Sequence, residues 1–144
     1  KWLCLHKLKS FYFVQFICKE VFDSFITQIG QGIGSPPVPL AEIDAKLDVE
    51  FFAPKWGTAT DRERDLLHVV ASLPNCHEEF TIKEVMDAQG HMLDKAMSHS
   101  QISSMLAVNL SKRGLVFRTP RHGKYTLGIP MLSENISRQT QRLE

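Results

Sequence analysis

Thr60-Asp61-Arg62-Glu63, Thr81-Ile82-Lys83-Glu84 and Ser98-His99-Ser100-Gln101 repeat one pattern, a hydroxyl residue followed three positions later by Glu or Gln. In each, the hydroxyl and the later side chain satisfy amides that a starting helix leaves without partners. Each is followed by helical periodicity. After the first, Leu66, Val69, Val70 and Leu73 form a stripe that Pro74-Asn75 ends. The second opens a short helix with Val85 and Met86 inward and Gly90 just past its end. The third opens a helix with Ile102, Met105, Leu106 and Leu110 as its core face, and Gly114 is placed to end it in the left-handed conformation.

Two alternating segments come next. Leu115 to Thr119 and Lys124 to Ile129 read as strands, with Tyr125, Leu127 and Ile129 on one face. Pro120-Arg121-His122-Gly123 is the turn between them, with glycine where a positive φ is needed. Pro130 opens a last helix, about Met131 to Arg142, and Glu79 to Thr81 is a strand stub between the first two helices. Helix, helix, helix, hairpin is the order of a winged helix-turn-helix. The expected fold class is mainly α with a small β-hairpin, the winged helix occupying residues 56–144.

Ahead of it, residues 1–55 form a helical, lid-like segment. One long helix runs from about Phe11 to Ile29, its stripe formed by Val14, Ile17, Cys18, Val21, Phe22, Phe25 and Ile29. Phe13 and Phe16 fall off that stripe, either on a second buried side or as a contact surface for a missing neighbour. Gly30, Gly32, Gly34, Pro36, Pro37 and Pro39 make residues 30–39 a linker. Leu40, Ile43 and Leu47 mark a short helix opened by Pro39, and Asp48 to Trp56 reads as an aromatic connector.

In a winged helix the third helix reads the major groove and the wing grips the backbone. The outward residues here are Ser100, Gln101, Ser104, Ala107 and Ser111, with Lys112 and Arg113 near the helix end, and the wing carries Arg118, Arg121, His122 and Lys124. Candidate DNA contacts are therefore Ser100, Gln101, Ser104 and Lys112 on the helix, with the four wing residues on phosphates. With no arginine or asparagine mid-face, double-stranded DNA is expected as a weakly sequence-specific partner. Gln101 also has its capping duty, and winged helices serve protein contacts too. The alternative is a protein-interaction or regulatory domain.

Net charge is +1, but Lys112 to Arg142 holds seven Lys and Arg against Glu134 alone, an asymmetry that suits an anionic partner. Cys4, Cys18 and Cys76 are odd in number and widely spaced, which suggests free thiols and a cytoplasmic location. The apolar start of the chain is interrupted by His6, Lys7 and Lys9, unlike a signal peptide, and nothing approaches the roughly 20 apolar residues of a membrane span. Cys76-His77 with His91 and His99 matches no zinc spacing, so no metal ligand is expected. Gly30-Gln31-Gly32-Ile33-Gly34 lacks the P-loop lysine, and no nucleophile elbow or paired-acid motif occurs. No catalytic residue is expected, and His68 reads as a half-buried histidine beside its helix stripe.

Phe13-Val14-Gln15-Phe16-Ile17-Cys18-Lys19-Glu20-Val21-Phe22-Asp23, Leu47-Asp48-Val49-Glu50-Phe51-Phe52, Arg113-Gly114-Leu115-Val116, His122-Gly123-Lys124-Tyr125 and Ile129-Pro130 together resemble the C-terminal part of prokaryotic AAA/STAND-type P-loop ATPases. The resemblance covers the chain from about residue 11. It implies the end of a helical lid followed by a winged helix, with Phe13 and Phe16 as docking contacts to an ATPase core. Such proteins open the lid helix with a glycine-x-proline stretch, where this chain reads Lys9-Ser10-Phe11-Tyr12, and Lys1 to Ser10 do not match. The nucleotide-binding residues have no counterpart here. ATP and Mg²⁺ are expected only for a longer parent, of which this chain, starting at lysine, reads as a fragment.

Overall fold

The computed structural model describes the backbone of residues 2–141 and the side chains of residues 11–139. These residues are mainly helical, with a small three-stranded antiparallel sheet. The chain divides into two compact units, Lys1–Pro54 and Lys55–Glu144. Arg142, the expected end of the last helix and part of the basic tail, lies outside the described residues, as do the side chains of Lys1 to Ser10.

In the first unit, helix α1 spans Trp2–Gly30, nine residues longer at its start than its apolar periodicity indicates. No glycine or proline precedes Gly30, so nothing in the chain stops the helix earlier. Helix α2 begins at Leu40–Lys46 after Pro39 and continues through a wide π-helical turn, Leu47–Phe52. Asp48 to Phe52 is thus helix rather than connector, followed by a helical segment at Ala53–Gly57. The amide of Ala53 reaches back five residues to the Asp48 carbonyl. That wider bonding suits the entry to Pro54, which has no amide to donate and whose ring crowds a normal α turn.

The face that α1 turns inward is not the one its apolar stripe predicts. Phe13 is 4% exposed, and its ring lies 5.4 Å from Phe51 and 6.4 Å from Phe52, with Phe16 6.2 Å from Phe51. Glu20 is buried on the same side and pairs with Lys46 of α2. That pairing holds the Glu20 carboxyl below its usual range. Val14, Cys18, Phe22 and Ile29, expected inside, are exposed. The aromatic cluster and the Lys46–Glu20 pair together set the rotation of α1.

In the second unit all three capping boxes form. Helix α3, Asp61–Ser72, starts at Thr60, whose hydroxyl accepts from the Glu63 amide while Glu63 accepts from the Thr60 amide at 2.8 Å. Strand β1, Phe80–Thr81, leads into α4, Ile82–Gln89, where Thr81 and Glu84 do the same. Helix α5, residues 99–113, is α-helical at His99–Ser104 and Ser111–Arg113 with a π-helical stretch, Met105–Leu110, between. Gly114 ends it at φ 72°. Strands β2, Val116–Arg118, and β3, Lys124–Leu127, form the hairpin, and Gly123 turns it at φ 74°. Helix α6, Leu132–Gln141, packs extensively on α3.

Strand order is β1-β3-β2, so the stub at Phe80 closes the hairpin into a sheet. Phe80 pairs with Tyr125, Val116 with Leu127 and Arg118 with Tyr125. The core between sheet and helices holds Leu66, Val70, Phe80, Val85, Ile102, Leu106, Leu110 and Ile136, all but out of solvent. Each such aliphatic or aromatic side chain contributes about 1.5–3 kcal/mol by leaving water. Met86, expected inward, is 37% exposed. Its place is taken by Gln89, which is buried and bonds Met97 twice, accepting from its amide at 2.7 Å and donating to its carbonyl at 2.9 Å. A polar clamp therefore fixes the loop that delivers α5.

Candidate nucleic-acid interface

Helix α5 is held at both ends. At its start, the Gln89 clamp on Met97 is followed by the Ser98 cap, in which Gln101 accepts from the Ser98 amide at 2.9 Å. At its end, Arg113 donates to Glu63 on α3 at 2.7 Å. Burial works to raise the Glu63 carboxyl, but the Thr60 amide and hydroxyl, with Arg113, outweigh it and hold the group below its ordinary value. Glu63 is thus ionised at neutral pH and serves two helices.

Between these anchors Ser100, Gln101, Ser104, Ala107, Val108 and Lys112 are exposed. Ser100, Gln101 and Ser104 come together in a shallow depression of about 310 Å³ whose other walls are Arg62, Met97 and Met105. Arg62 is a neighbour that sequence reading did not supply. It donates to the Lys95 carbonyl at 2.9 Å, a contact across 33 positions with no local signature. Gln101 faces the depression, but its side-chain oxygen is engaged by the cap.

The wing residues do not form one cluster. Arg118 lies opposite Tyr125, and cross-strand partners share a face of the sheet, so Arg118 belongs with Val116 and Tyr125. Lys124 alternates with Tyr125 and therefore lies on the other face, with Phe117 and Thr126. Strand β2 packs on the π-helical part of α5, and Arg118, at its end, is exposed. Lys124 and Arg121 converge instead on Glu79, at 3.3 and 3.2 Å. Burial tends to raise Glu79, but Lys124 and Arg121 lower it on balance, so one carboxylate offsets part of the charge of two wing cations. His122 is exposed at the tip. Among the described residues no carboxylate pairs with Arg118 or Lys112.

Phe13 and Phe16, expected to dock on an ATPase core, instead belong to the aromatic cluster of their own unit. Trp56 packs against His68 at 5.3 Å, and burial lowers the His68 pKa against a smaller opposing effect of Asp65. Among the described residues no group of three or more His, Cys, Asp or Glu could hold a metal ion. Among them, too, no helix is long and apolar enough to cross a membrane. No protein-family model, curated protein or solved structure matches the chain.

Proposed function

We propose that the second unit is a winged helix that contacts duplex DNA, α5 approaching the major groove and the wing lying along the phosphates. The winged-helix reading is supported by helix-strand-helix-helix-strand-strand order with β1-β3-β2 pairing. One observation carries the functional part. From Lys95 to Ser133, a stretch containing all of α5 and the hairpin, there are six Lys and Arg and no Asp or Glu. Anions can approach α5 and Arg118 without meeting a carboxylate from that stretch, and Glu79 restrains only the far face of the wing.

Lys112 and Arg118 are the principal phosphate contacts on this reading, with His122 and Arg121 at the tip. Ser100 and Ser104 suit phosphate or base edges. A helix with no arginine of its own on this face, beside an Arg62 that donates to the Lys95 carbonyl, makes recognition weakly sequence-specific. The test is titration of the chain with random-sequence duplex at about 50 and about 200 mM salt, where a few phosphate contacts make affinity fall steeply. Lys112→Ala with Arg118→Ala is expected to weaken binding and flatten its salt dependence. Absence of salt-sensitive binding by the wild-type chain refutes the proposal.

A second reading, a protein-interaction or regulatory domain, is favoured by Ala107 and Val108 exposed in the middle of the α5 face, Val108 by 43%. Apolar groups there add little to a phosphate contact but suit a protein surface. The resemblance to the lid end and winged helix of AAA/STAND-type ATPases fits either reading. On it, ATP and Mg²⁺ belong to a nucleotide-binding core encoded upstream of Lys1, and sequencing that region for a P-loop tests the parentage.

A further inference from the structure

Helix α1 faces inward with Phe13 and Glu20, and leaves part of its apolar stripe exposed, while Ile17, Val21 and Phe25 of that stripe are half-buried. At 100° per residue, Phe13 and Glu20 define the inner direction, Phe11, Phe22 and Ile29 lie within about 10° of its opposite, and Cys18 and the polar Gln15 lie about 30° to either side. Phe11, Phe22, Ile26 and Ile29 are 56%, 64%, 56% and 55% exposed, and Val14 on the flank is 50% exposed. These side chains present about 600 Å² of apolar surface, at the top of the range for the largest patch on a stable monomer.

We infer that this stripe pairs with the same stripe of a second copy of the chain, making a helix-to-helix dimer through α1. If all of these side chains are fully covered, two copies bury at most about 1,200 Å² from them, the lower bound of a stable interface, and rim residues add to it. A two-fold pair requires a surface that complements itself. The stripe does so because it is uncharged. Lys19 stands at the edge of the stripe, about 70° from its centre, and bonds Asp23 at 2.9 Å, which offsets its charge where the two copies meet. A nucleic acid or a strongly charged protein would find nothing to hold on this face. The inference is independent of the DNA reading, since it concerns the first unit.

Cys18 makes the pairing measurable. It is an exposed free thiol on the stripe, two residues from the middle of the Trp2–Gly30 helix. In a parallel pair the two Cys18 residues face each other, and in an antiparallel pair centred on the helix they are displaced by only about 6 Å along the axis. Sedimentation velocity on the full chain between about 1 and 100 μM is expected to show a monomer–dimer equilibrium. In a Cys4→Ser background a bismaleimide of about 10 Å reach should link the dimer through Cys18, and Cys18→Ser should then abolish the link. Phe22→Glu, at an exposed position, should weaken dimerisation more than tenfold with helix content unchanged by circular dichroism. A chain that stays monomeric at about 100 μM without Cys18 cross-linking overturns the inference. So does a dimer unaffected by both Phe22→Glu and Ile29→Glu.

Discussion

Arg113, in the last turn of α5, donates to Glu63 in the first turn of α3 across 2.7 Å, and the same Glu63 oxygen accepts the Thr60 amide at 2.8 Å. A single carboxylate oxygen thus closes a capping box and ties two helices separated by 50 positions. Glu63 is 2% exposed, whereas Arg113 keeps 29% of its side chain in solvent. The arrangement fixes the end of α5 next to Lys112, so the geometry of the candidate interface depends on a residue that touches no ligand.

Arg113→Ala is expected to destabilise the second unit by about 2–3 kcal/mol, because the buried carboxylate loses its partner while remaining desolvated. The pH dependence has a definite sign. The folded Glu63 carboxyl is held below its ordinary value, so its contribution is complete above about pH 4.3 and is lost as pH falls through the lowered value. Glu63→Gln should flatten the acid limb of a denaturation-versus-pH curve. An identical acid limb in wild type and variant would remove Glu63 from the explanation.

Gln101 separates capping from DNA contact. Gln101→Glu keeps an oxygen for the Ser98 amide and should alter stability by less than about 0.5 kcal/mol, whereas Gln101→Ala should cost about 1 kcal/mol. Duplex binding should respond in a different order, with Gln101→Glu the weaker binder because it brings negative charge to phosphates. If both variants bind duplex like wild type, Gln101 is a cap and nothing more. Thermal melts paired with duplex titrations distinguish the cases.

The parts of the fold written in short-range chemistry were legible in the sequence. Thr60, Thr81 and Ser98 each bond a partner three residues away, and Gly114 and Gly123 adopt the positive φ that their positions require. The rotation of α1 was not legible, because Phe13 is drawn inward by Phe51 and Phe52, some 40 residues on, against the pull of the helix's own apolar stripe. Met86 is exposed, and Gln89 buried, for a related reason. Gln89 gains two backbone bonds from Met97 that no periodicity registers. The wing cluster was misread because sequence adjacency hid both the alternation of sheet faces and the approach of Glu79.

Gly128 marks where β3 leaves the sheet, and its constraint is close approach rather than dihedral freedom. A Cβ there would lie 1.9 Å from Cε2 of Phe117 and 3.0 Å from the Gly114 carbonyl oxygen. The Gly128 amide also bonds the Leu115 carbonyl at 2.9 Å, so the backbone is poorly placed to retreat. Gly128→Ala should therefore destabilise by about 1–3 kcal/mol, as overpacking does. In a Phe117→Ala background the added methyl should cost measurably less, a coupling that a double-mutant cycle of urea denaturations reads directly. Additive losses would place the strain elsewhere.

Glu79 is the residue whose removal should strengthen DNA binding. Its carboxylate holds Lys124 at 3.3 Å and Arg121 at 3.2 Å, and at neutral pH it is ionised because those cations hold its pKa low on balance, against the opposing effect of burial. Glu79→Gln removes the counter-charge that the two cations share, leaving Lys124 only its weaker interaction with Glu84, while keeping the shape of the side chain. Exposed ion pairs of this kind contribute little to stability, so the melting temperature should scarcely move. Affinity for random duplex should rise, and the slope of log affinity against log salt should steepen by about one to two, as freed cations displace counterions from phosphates. Lys124→Ala added to Glu79→Gln should reverse part of the gain. If Glu79→Gln changes neither affinity nor slope while the wild-type chain still binds duplex, the wing tip does not reach the backbone. Contact would then fall to Lys112 and Arg118, because Arg118 lies on the sheet face opposite Lys124.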